Sequence, residues 1–153
     1  SFGKKTQVCG VLANKEKFDE IPNNVFRESS RINSTFGGNF VDMMRFKLTM
    51  EVIERENLVE NARVVGEYLL DGLKKLEQQF PDKITAARGR GLMCAINLPD
   101  GAARDRMREI LYDDGLIILA CGDQSIRFRP HLNVTKEEIQ IALDKIAASI
   151  EKI

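Results

Sequence analysis

With 153 residues, 43% of them hydrophobic and 30% charged, the chain is long enough to bury a core and too apolar to stay disordered. Lys+Arg and Asp+Glu both number 23, and zero formal net charge without a basic run argues against nucleic acid or an acidic membrane surface as partner. No apolar run approaches membrane-spanning length, and no signal peptide opens the chain.

Cys9, Cys94 and Cys121 are widely spaced and form no CxxC, so they read as reduced thiols of a cytoplasmic protein. A single histidine, His131, argues against a metal site. The chain starts on Ser1-Phe2-Gly3, with no Met, helix start or strand-length run, which reads as a fragment, natural or engineered.

Residues 4–11 form a short mixed run, strand or loop, and the polar stretch 14–24, with Pro22, reads as a surface excursion. From Asn39 the spacing predicts a helix, with Phe40, Met44, Leu48 and Val52 recurring every four residues and Met43 and Phe46 filling in. That stripe is expected to be core or subunit interface. Asn57 is expected to start the next helix with Glu60 as its capping partner, Leu58, Ala62, Val65, Leu69, Leu73 and Leu76 to mark its buried face, and Pro81 to stop it.

The period then changes. Strands are predicted over 84–87 and 92–98, joined through Arg88-Gly89-Arg90-Gly91, which reads as a turn or bulge ahead of the alternative of an anion loop. A short helix over 103–112 buries Met107, Ile110 and Leu111 and closes at Asp114-Gly115. The wholly apolar run 116–121 reads as a strand covered on both faces. Residues 125–129 alternate, so Ile126 and Phe128 face the core while Arg127 and Arg129 share the other side. Thr135 and Glu138 form a capping box for a last helix with Ile139, Leu143, Ile146 and Ile150 inward. The fold class is α+β: a small antiparallel or mixed sheet with helices on one side, preceded by a mainly helical segment.

Two places invite chemistry. Asn33-Ser34-Thr35-Phe36-Gly37-Gly38-Asn39 combines hydroxyls with bare glycine amides just before a helix N-terminus, a plausible seat for an anion or phosphate, or else an ordinary capped loop. In Gly3-Lys4-Lys5 a catalytic lysine needs a depressed pKa, which burial or a neighbouring cation can give. If the segment is extended, the two lysines point to opposite sides and only one enters a site.

Residues 3–10, GKKTQVCG, with 33–39, NSTFGGN, and 126–130, IRFRP, occur in an order and spacing that resemble the class III, fold type I, pyridoxal-phosphate-dependent aminotransferases. The resemblance spans residue 2 to about 150. It runs nearest to the lysine 6-aminotransferase branch and next to 4-aminobutyrate or other ω-amino acid aminotransferases. It implies that residues 1–50 end the large cofactor domain and 51–153 form the C-terminal small domain. It also implies that Lys4 binds pyridoxal 5′-phosphate covalently and shuttles the substrate proton. Thr35, with Ser34 beside it, would reach the cofactor phosphate in the neighbouring subunit of a homodimer. Arg127 would bind the substrate α-carboxylate, or a gating glutamate when no carboxylate is present, and Arg129 ranks below it.

The implied reaction moves the terminal amino group of L-lysine, or a similar ω-amine, to 2-oxoglutarate. In that family the aspartate at the pyridine nitrogen, the aromatic stacked on the ring, the main phosphate loop and the gating glutamate lie upstream of the lysine. The fragment alone is therefore expected to be inactive. The alternative from another class is a non-catalytic α+β dimerisation or binding module.

Overall fold

The computed structural model describes residues 13–28, 31, 35 and 37–153. The expected elements of residues 4–11, and the sequence candidates Lys4 and Ser34, lie outside them. The chain divides into two compact units between Glu56 and Asn57, each described by itself.

In the first unit a short helix α1 (Lys15–Asp19) interrupts the polar excursion, capped by the Asn14 side chain, which accepts from Lys17 N. Asn24 is buried there, its amide donating to Phe18 O and Ile21 O and its oxygen accepting from the backbone of Phe26 and Arg27. Helix α2 (Phe40–Arg55) follows the Gly-Gly turn. Its apolar stripe has the helical period expected of it, yet no residue of α2 is buried, and Phe40 is 76% exposed.

The second unit is the layered part. Helix α3 (Leu58–Gln79) comes first, and its Val65, Leu69, Leu73 and Leu76 are buried as the spacing predicts. Its start differs from expectation. Asn57 sits in the left-handed region at φ 50 and makes no side-chain cap, and Glu60 instead pairs with Arg63. A capping residue needs extended backbone for its side chain to reach the helix amides, and this Asn does not have it.

Four strands follow: β1 (Thr85–Arg90), β2 (Met93–Asn97), β3 (Leu119–Cys121) and β4 (Ser125–Phe128). They form one antiparallel sheet in the order β1-β2-β4-β3. Helix α4 (Gly101–Asp113) precedes β3, and α5 (Lys136–Ile150) ends the unit behind the capping box of Thr135 and Glu138. One hydrophobic cluster joins α3, α4 and α5 to a single face of the sheet, through Cys94, Ile96, Ile126 and Phe128.

Two expectations are corrected. Arg88, Gly89 and Arg90 belong to β1, and the turn falls later, at Gly91-Leu92. The apolar run 116–121 is not covered on both faces. Only its last three residues form a strand, at the sheet edge, and Ile117 and Leu119 are 78% and 46% exposed. Apolarity suggested burial on both sides, but the helices occupy only one.

That turn bears directly on α3. A Cβ on Gly66 would lie 2.2 Å from the Gly91 carbonyl carbon, and Gly91 itself has φ +54. The helix backbone thus rests on the turn backbone with no room for a methyl group. Gly66→Ala is expected to destabilise the unit by about 1–3 kcal/mol, because neither backbone can yield as a flexible side chain would. Urea unfolding checks this, and an unchanged midpoint would show that the contact is looser than described.

Candidate functional site

The turn before α2 is the first candidate. Thr35, Gly37 and Gly38 are all exposed. Gly38 has φ +77, and a Cβ there would meet nothing within 4 Å. A ligand can therefore approach this backbone closely. The helix end behind it is partly used. The Asn39 side chain accepts from Val41 N at 3.0 Å and from Asp42 N at 3.2 Å. These bonds cap α2, so those two amides are not open to an anion here.

The second candidate is the open face of the sheet. Ile126 and Phe128 of β4 are buried against the helices, so the pleat turns Arg127 to the opposite face. Arg127 pairs across the strands with Ala95 on one side and Leu119 on the other. Its Nε is buried and has no hydrogen-bond partner among the described residues. A guanidinium nitrogen left unpaired out of water is costly, and a carboxylate is the group that matches its fork. Arg129 lies one residue beyond the end of β4 and is exposed.

Sequence reasoning missed the side chains that fix β4. At the start of the strand the Arg104 guanidinium donates to Gly122 O and Asp123 O, both at 2.8 Å. After its end Asn61 of α3 donates to Leu132 O at 2.7 Å and Val134 O at 3.1 Å. Beside Arg127, Arg88 of β1 donates to Asn97 Oδ1 at 3.0 Å and Ser125 Oγ at 3.2 Å, while the Ser125 hydroxyl donates to Asn97 Oδ1 at 2.6 Å. No local pattern signalled these contacts, because the partners are distant in sequence. Among the described residues no group of three or more His, Cys, Asp or Glu could hold a metal ion, and no helix is long and apolar enough to cross a membrane.

Comparison with known proteins gives the class. The family model for aminotransferase class-III matches residues 2–150, and the chain belongs to that family. It is 46% identical to the L-lysine-epsilon aminotransferase of Streptomyces clavuligerus, covering 100% of this chain and 34% of that protein. The structure of lysine aminotransferase from M. tuberculosis in the internal aldimine form superposes with a TM-score of 0.87 at 45% identity, over 98% of this chain and 34% of that one. Mouse mitochondrial 4-aminobutyrate aminotransferase is more distant, 36% identical over 86% of this chain and 25% of its own length. The chain thus spans about a third of the length of the lysine-type relatives it matches.

The two described cysteines stand in contrast. Cys94 is buried on the core face, where desolvation pushes its thiol up to about 11, while Cys121 is half-buried on the open face opposite Ser125. Between the ordinary value of 9.0 and about 11 the unfolded chain gives up the Cys94 proton and the folded chain keeps it, so this group lowers stability as pH rises through that window. Iodoacetamide at neutral pH is expected to modify Cys121 well before Cys94, as followed by peptide mass spectrometry. Equal rates in the folded protein would contradict the burial of Cys94.

Proposed function

We propose that the chain is the C-terminal part of a pyridoxal-phosphate-dependent aminotransferase that moves the terminal amino group of L-lysine, or a similar ω-amine, to 2-oxoglutarate. In this reading residues 1–50 close the large cofactor domain, and residues 51–153 form the small domain. The parent works in the cytoplasm as a homodimer, and the fragment by itself does not transaminate.

The observation that carries the proposal is Arg127, a guanidinium with a buried, unpartnered Nε on the uncovered face of a helix-backed sheet. It is supported by high identity to lysine-type relatives and lower identity to a 4-aminobutyrate enzyme. The exposed apolar side chains of α2, Phe40, Met43, Met44 and Leu48 among them, favour a helix made to be covered by a partner subunit.

The residues present fit an anionic cofactor at one end. The Thr35 hydroxyl and the open backbone at Gly38 suit a phosphate group, with Ser34 as a further hydroxyl. When bound, pyridoxal phosphate supplies the electron sink for charge developing on the substrate carbon. Lys4 would hold the cofactor and would shuttle the proton between that substrate carbon and the cofactor's C4′ carbon. Arg127 grips the α-carboxylate of the oxo acid with two parallel N–H bonds and so fixes which carbon is presented.

Two measurements on the full-length parent test this reading. Borohydride reduction after loading with pyridoxal 5′-phosphate is expected to leave the pyridoxyl group on the peptide bearing Lys4. A label confined to Lys5 would move the assignment by one residue.

Arg127→Lys keeps the charge and loses the fork, so kcat/KM for 2-oxoglutarate is expected to fall about tenfold, or ~1.4 kcal/mol. Arg129→Lys is expected to lose less. Equal losses at the two positions, or a loss that tracks thermal unfolding, would remove Arg127 from the site.

A further inference from the structure

Arg88 reaches the open face only because β1 contains a bulge. Thr85 pairs with Asn97 and Arg88 with Ala95, so three steps along β1 match two along β2. One extra residue exchanges the faces of a strand. Without it, regular alternation from Thr85 would send residue 88 toward the helices. The bulge carries strain, since Ala86 sits at φ 54, where an L-residue with a Cβ is disfavoured. Arg88 itself closes over this strained residue, donating from Nη1 to Ala86 O at 2.8 Å.

The exchange puts Arg88, Ala95, Arg127 and Leu119 in one row across the sheet. In the next row Asn97 and Ser125 face each other. Arg88 donates to both of them, and Ser125 donates to Asn97. This network links β1, β2 and β4 two residues from Arg127, and Ser125 is itself buried. The two arginines thus differ in kind. Arg88 has three neutral acceptors and a fixed pose, whereas Arg127 has a buried Nε without a partner among the described residues.

We infer that Arg88 is a positioning residue for the carboxylate site. By clamping Asn97 and Ser125 it fixes the part of β4 from which Arg127 projects, and it leaves Arg127 as the arginine free to take the carboxylate. The inference rests on the proposed role of Arg127. It adds that the bulge at Ala86 is what delivers this clamp to the open face.

The test is a double-mutant cycle in the full-length parent, with Arg88→Lys, Arg127→Lys and the pair. The readouts are KM and kcat for 2-oxoglutarate, the half-reaction with an ω-amine lacking a carboxylate, and thermal melts. Ser125→Ala, which removes one hydroxyl, serves as the second probe should Arg88→Lys fold poorly.

Arg88→Lys is expected to raise KM for 2-oxoglutarate about five- to tenfold, as loss of bonds to a charged donor implies. The carboxylate-free amine is expected to be affected less. The 2-oxoglutarate losses at positions 88 and 127 are expected to be non-additive. Ser125→Ala should shift the same KM in the same direction.

A lowered melting temperature with unchanged KM, or additive losses, would overturn the positioning role. So would an effect from Arg127→Lys with none from Arg88→Lys or Ser125→Ala. If Arg127→Lys itself left 2-oxoglutarate kinetics untouched, the underlying carboxylate reading would fall, and this inference with it.

Discussion

The two faces of β4 cannot serve the same purpose, and the rest of the second unit follows from that constraint. Ile126 and Phe128 go into the cluster formed with α3, α4 and α5. The pleat then leaves no choice for Arg127, which must stand on the side the helices do not cover. Burying an apolar pair thereby sets the direction of a charged side chain. Arg104 and Asn61, bonded to the backbone on either side of the strand, keep the strand from shifting.

Register is the quantity these contacts protect. A slip of one residue would move Arg127 into the apolar cluster and bring Ile126 out. On β1 the same arithmetic operates in the opposite sense, as a built-in slip. The bulge between Thr85 and Arg88 moves Arg88 to the open face and sets it among Asn97 and Ser125. The strand pairings and the side-chain bonds therefore describe one arrangement, in which the backbone irregularity and the guanidinium clamp depend on each other.

The first unit works differently. Its long helix has a regular apolar stripe and buries none of it. The period of a pattern reports which residues share a face, but it does not report what covers that face. At the N-terminus of α2 the same distinction appears. Asn39 takes two helix amides that a bare sequence reading offers to an anion, while the backbone at Gly38 stays open.

What the sequence determined by itself was local. Local patterns gave the helices after Asn39, the order of elements after Pro81, the inward stripes of α3 and α5, the capping box at Thr135, and the opposition of Arg127 to Ile126 and Phe128. The family was legible from three short stretches of sequence. Each of these depends on residues close along the chain, where helix geometry and the strand pleat fix the outcome.

What only the tertiary structure decided depends on residues far apart. Arg88 with Ser125, Asn61 with Val134, and Gly66 against Gly91 meet across 37, 73 and 25 positions of sequence. No local period encodes such meetings. The edge position of β3 was misread for the same reason: an apolar run states its own hydrophobicity, and only the packing of other elements decides which of its sides is covered.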